Sequence, residues 1–197
     1  MFKHRVLAIS APLVLLTALT GCTPGGGSPA GGGTASGHSD TACIQGKNWD
    51  LDVSDDAAQI LSYLQSHGSP ITSVTGSGSQ QIFFHQAGTM GSTTDLTFVM
   101  VSPLSSGKTL TMTEHQSGSA NSEWAWQGDT NVISFTGWVS NVVVKTTADI
   151  DGTQQSVDSP IGQDGGDGAD MTVTCSGNTL TTMSAGSPFT MHWTASH

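Results

Sequence analysis

The sequence predicts a mainly β domain: about eight to ten antiparallel strands in up-and-down order, closed into a barrel, with one helix after the first strand. A β-sandwich is the alternative. Three observations lead there. From Pro70 onward, apolar residues alternate with Thr and Ser at a period of two, the mark of half-buried antiparallel strands. Short turn sequences such as Asp151-Gly152 and Ser176-Gly177-Asn178 separate these runs. Only one stretch carries a helical period. A long meander exposes two edges, and closure into a barrel removes them.

The chain of 197 residues begins with Lys3, His4 and Arg5, then runs apolar from Val6 to Leu19. About fourteen apolar residues are too few to span a bilayer core, which needs roughly twenty, but suit the apolar region of an export signal. The run ends in Leu19-Thr20-Gly21-Cys22, which resembles the lipobox of bacterial lipoproteins. That resemblance implies that residues 1–21 are a signal peptide, cut just before Cys22, and that the Cys22 thiol is acylated. The partner is then the lipid bilayer, at the extracytoplasmic face of the cell membrane. Residues 22–41 are nearly all Gly, Ser, Pro, Thr and Ala after the cysteine. Such a composition buries too little apolar surface to offset its ordering entropy, so a disordered tether is expected. About twenty such residues reach roughly 25 Å root-mean-square.

The remaining domain, residues 42–197, is one unit with room for a single core. Without Lys3 and Arg5 the chain keeps Lys47, Lys108 and Lys145 against 15 acidic residues, a net charge of −12. A phosphate backbone is repelled by that field, which excludes nucleic acid as a partner. Two cysteines remain after lipidation, Cys43 and Cys175. An even pair in an exported protein reads first as a disulfide, with two free thiols as the alternative.

The first strand is read at "NWDLDV". A helix follows, with Ser54 as its expected cap and Asp55 and Asp56 complementing the positive end of its dipole. Ala57, Ile60, Leu61 and Leu64 form its apolar stripe, and His67, Gly68 and Pro70 stop it. Leu96, Phe98 and Met100 then share a face, as do Leu110 and Met112. Trp124 and Trp126 flank Ala125, and Ile133 and Phe135 alternate with Ser134 and Thr136. Met171, Val173 and Cys175 share a face, and so do Phe189, Met191 and Trp193. The cysteine in "CIQGKNWDLD", the helix directly after it, and the hairpin-forming "TVTCSGNTLTTM" resemble the lipocalin-like lipoproteins of high-GC Gram-positive bacteria. The resemblance implies an up-and-down barrel over residues 43–196.

Candidate sites are few. In "DGGDGAD", Asp164, Asp167 and Asp170 fit one copy of a calcium-binding glycine–aspartate repeat. Such repeats work by stacking, so the plainer expectation is an acidic loop between strands with no metal. His67, His85, His115 and His192 lack metal-ligand spacing, and His192 is expected to face outward. Glu114 and Glu123 are the only glutamates, and neither is paired as a general acid or base by spacing. Of five tryptophans, Trp49 and Trp193 are assigned to the core. Trp124 and Trp126 are candidates for a ligand site near a barrel mouth. No nucleophile, base and oxyanion set can be named, so no catalytic residue and no cofactor is expected. The expected function is a non-catalytic binding module for a small apolar ligand or an envelope partner. A structural or interaction lipoprotein with a filled barrel comes second, and an envelope enzyme last.

Overall fold

The computed structural model describes residues 41–158 and 168–196. Cys22, Asp164 and Asp167 lie outside the described residues, as does the expected signal peptide. The chain is mainly β, in one antiparallel sheet of ten strands. Its elements are α1 (Thr41–Ile44), β1 (Asn48–Leu51), α2 (Val53–Ser66), β2 (Ser73–Phe84), β3 (Thr89–Pro103), β4 (Thr109–Trp126), β5 (Val132–Ser140), β6 (Val143–Ile150), β7 (Thr153–Val157), β8 (Asp170–Ser176), β9 (Thr179–Ser184) and β10 (Met191–Ser196). No helix among the described residues is long and apolar enough to cross a membrane.

Strand pairing runs in a ring. β1 pairs with β2 on one edge and β10 on the other, and β2–β3, β3–β4, β4–β5, β5–β8, β8–β9 and β9–β10 complete the circuit. The expected up-and-down order holds for these eight strands but not for β6 and β7. They form a hairpin set aside from the circuit, with β6 paired to β4 and β7 to β6. The reason lies in β4, whose 18 residues give one edge two neighbours. Leu110–Ser117 pair with β6, and Ala120–Trp126 with β5. The changeover falls at Gly118, at φ +139°, where a Cβ would stand 2.7 Å from Val142 Cα and 2.8 Å from Asn141 O. Only glycine admits the β5–β6 corner this close. Asn141 then caps the break, its Oδ1 accepting from Ser119 N at 2.7 Å.

The two-residue period puts one set of side chains on the inner face of the circuit. Trp49, Ile82, Phe84, Met90, Leu96, Phe98, Ile133, Phe135, Val173, Leu180 and Trp193 are all buried in one cluster. Trp49 is 0% exposed, and its indole N–H donates to Ile44 O at 3.0 Å. Ile44 belongs to α1, a single helical turn that the sequence pattern did not reveal. Thr41, expected at the end of the tether, begins that turn and accepts from Trp126 Nε1 at 2.7 Å. Cys43 on α1 is joined to Cys175 on β8 by a disulfide. It closes a loop of 132 residues, worth up to about 5 kcal/mol by the chain-entropy argument.

Helix α2 has its cap at Asp52 rather than the expected Ser54. Asp52 Oδ1 accepts from Ser54 N at 3.2 Å and Asp55 N at 3.0 Å. Ser54 adds its hydroxyl to the same oxygen at 2.7 Å, which holds the Asp52 carboxyl below its usual range. The helix lies against β2, where Gly76 leaves room for it: a Cβ there would sit 2.7 Å from Val53 Cγ1. It is clamped to the segment leading into β10 by Gln59, which donates to Thr190 O at 2.6 Å and accepts from Thr190 N at 2.9 Å. Asp55 Oδ2 meets His192 Nδ1 at 2.7 Å.

Candidate ligand cavity

Alternation along β2, β3, β4, β5, β8, β9 and β10 does not fill the inner face completely. A cavity of about 310 Å³ remains, bounded by inner-face residues of these strands and by Asp56 and Ile60 of α2. Ligand pockets start at about that size. Apolar groups dominate part of the wall: Ile82, Phe84, Met90, Leu96, Phe98, Phe135, Trp138 and Trp193. Gln80, Ser92, Thr94, Gln116, Thr182 and Ser184 interrupt it. Toward the β5–β6 corner and the β9–β10 turn, Ser140, Val142, Ser187 and Phe189 extend the lining.

Asp56 stands out chemically. It is 5% exposed and lies on the cavity wall. Its carboxyl accepts no hydrogen bond from another described residue. Burial pushes it up to about 6, with the charge of neighbouring Asp55 adding to the effect. The helix explains the placement. Asp56 stands four residues before Ile60, so the two share a face and Asp56 enters the apolar stripe at its N-terminal end. The periodicity carried the signal, since Asp56 occupies a stripe position.

The second acid on the wall, Asp170, is already engaged. Its Oδ1 accepts from Ser134 Oγ at 2.8 Å and Gln127 Nε2 at 2.6 Å, across the short β5–β8 pairing. Of the three aspartates of the glycine-rich stretch, it alone is described. Among the described residues, no three His, Cys, Asp or Glu side chains converge in a way that could hold a metal. His115 pairs with Asp95 at 3.0 Å and His67 Nδ1 lies 2.8 Å from Tyr63 O, while His192 is exposed, as expected, and held by Asp55. Glu123 is exposed. Glu114 is fully buried, accepting from Gln116 Nε2 at 2.8 Å and Thr146 Oγ1 at 3.4 Å.

The tryptophans divide differently from expectation. Trp124 is buried in the core, edge-on to Phe84 at 5.5 Å, and its indole N–H donates to Thr89 O at 3.1 Å. Trp126 is half-buried beside it, bonded to Thr41. Neither lines the cavity, whereas Trp138 and Trp193 do. Trp193 is both core and wall, with its N–H bonded to Thr182 Oγ1 at 2.9 Å. Glu123, the polar residue next to Trp124, lies on the opposite, exposed face of β4, so it says nothing about the wall. No protein-family model, curated protein or solved structure matches the chain.

Proposed function

We propose that this protein is a non-catalytic binding module, lipid-anchored through Cys22 at the outer face of the cell membrane, whose strand circuit is a closed β-barrel that holds a small, largely apolar ligand. The observation that carries the reading is the cavity of about 310 Å³, open on one side and lined mainly by inner-face residues of the circuit. Closure through the β3–β4 pairing supports a barrel over a sandwich, because it leaves none of the eight strands as a free edge. The cavity's aromatic and aliphatic groups support a largely apolar ligand, and the polar side chains between them supply orientation.

Adjacent Ser92 and Ala120 both line the cavity, while Thr93 points out to solvent. This provides the test. The full chain is titrated with the neutral apolar dye N-phenyl-1-naphthylamine, followed by fluorescence. We expect saturable binding of one dye per chain, weakened at least tenfold by Ser92→Leu, which fills the cavity, and unchanged by Thr93→Leu. Equal effects of the two substitutions would place the dye on the surface and remove the support for an open interior. A wild-type chain that takes up no dye would favour a structural lipoprotein with a filled barrel.

A further inference from the structure

We propose that the ligand carries one protonated amine on its apolar body, and that the Asp56 carboxylate is the counter-ion; this rests on the cavity reading above. Asp56 is a nine-tenths-buried acid on the wall of a cavity lined by apolar and neutral polar side chains and by Asp170, without a hydrogen-bond partner among the described residues. Among the described residues, no basic side chain lines the cavity. Of the three lysines in the described residues, Lys47 donates to Gly177 O at 2.7 Å and packs over Trp49. Lys108 pairs with Asp151, and Lys145 is exposed on β6. A desolvated carboxylate with no partner is costly, and a ligand ammonium delivered into the same enclosure offsets that cost with a charge-assisted hydrogen bond. A ligand carboxylate is repelled by the same group.

Asp56 is distinguishable from its charged surroundings. On its own helix stands Asp55, held by His192 of β10. β2, against which α2 packs, contains no charged residue. Asp170, the other acid on the wall, is bonded to Ser134 and Gln127. Since burial raises Asp56 to about 6, the preference for an amine should be present at pH 7.5 and fade as the pH falls through 6.

Three probes of one shape separate the contributions: 3-cyclohexylpropylamine, 3-cyclohexylpropan-1-ol and 3-cyclohexylpropanoate. The full chain is titrated with each, and the fluorescence of Trp138 and Trp193 on the cavity wall reports binding. At pH 7.5 we expect the amine to bind about tenfold or more tightly than the alcohol, as charged hydrogen bonds typically do, and the acid to bind more weakly than either. The amine's advantage should shrink at pH 5 and vanish in Asp56→Asn, while the alcohol's affinity stays the same. Amine and alcohol binding alike at pH 7.5 would overturn the inference and leave the cavity reading standing. An advantage that survives in Asp56→Asn would assign the cation to another group. If Asp56→Asn failed to fold, the wild-type pH profile would decide alone: an advantage unchanged at pH 5 overturns the inference. If none of the three probes bound, the cavity reading and the inference would fall together.

Discussion

At the scale of the residue, Asp56 illustrates how a buried acid can oppose stability. Its carboxyl is raised from 3.8 to about 6 by burial, so the folded state holds the proton more tightly than the unfolded chain does. The stabilising contribution is therefore complete below about pH 4 and lost as the pH rises through 6. Above that, folding must carry a buried charge, at a cost of roughly 3 kcal/mol at most. Asp56→Asn should accordingly be close to neutral for stability at pH 4 and stabilising at pH 8. Urea unfolding of both proteins at the two pH values measures this. Parallel stability profiles for wild type and variant would show that the carboxyl is solvated in the folded state. Asp52, by contrast, is lowered by the hydrogen bonds it accepts at the helix cap and works in the opposite direction.

At the scale of the element, two glycines decide how long strands share their neighbours. Gly76 admits α2 onto β2, and Gly118 lets β4 leave β6 and take up β5. At Gly118 a side chain meets backbone atoms, which cannot rotate away, and the φ of +139° adds strain of its own. Gly118→Ala should cost about 1–3 kcal/mol or more. Gly107→Ala is the control, since Gly107 also has a positive φ (+79°) but nothing within 4 Å of the added Cβ. Equal losses in thermal unfolding would mean that conformation alone matters and that the corner can yield. Much at this scale was legible in the sequence. The strand faces of Leu96, Phe98 and Met100, and of Ile133 and Phe135, follow from alternation and are buried as read. The helix stripe was legible too, apart from its cap and its acidic member. The single turn of α1 was not, because so short a segment carries no measurable period.

At the scale of the whole molecule, the proposed function divides the work between an anchor at Cys22, which would set location, and the domain from residue 42, which would bind the ligand. Cys22→Ala should abolish labelling by a radioactive or alkyne-bearing fatty acid and release the protein from the membrane fraction, or leave it uncut. Labelled, membrane-bound protein after that change would rule out the lipidated-cysteine anchor. Local pattern by itself determined the β class, the long helix α2, the acidic net charge, and the candidacy of Cys43 and Cys175 as a pair. These depend on composition and on spacings of a few residues, which any chain segment carries with it. Tertiary structure alone decided which strands meet. It paired β1 with β10 and β5 with β8, set β6 and β7 aside, sent Trp124 into the core and put Trp138 on the cavity wall. It also turned Asp56 from a helix-end charge into a buried acid facing that cavity. The physical reason is that a period of two tells each strand which face is apolar but not which partner completes the enclosure. Partner choice, and the volume left over inside, depend on contacts between residues far apart in the chain, such as Trp49 and Ala195 across the β1–β10 pairing.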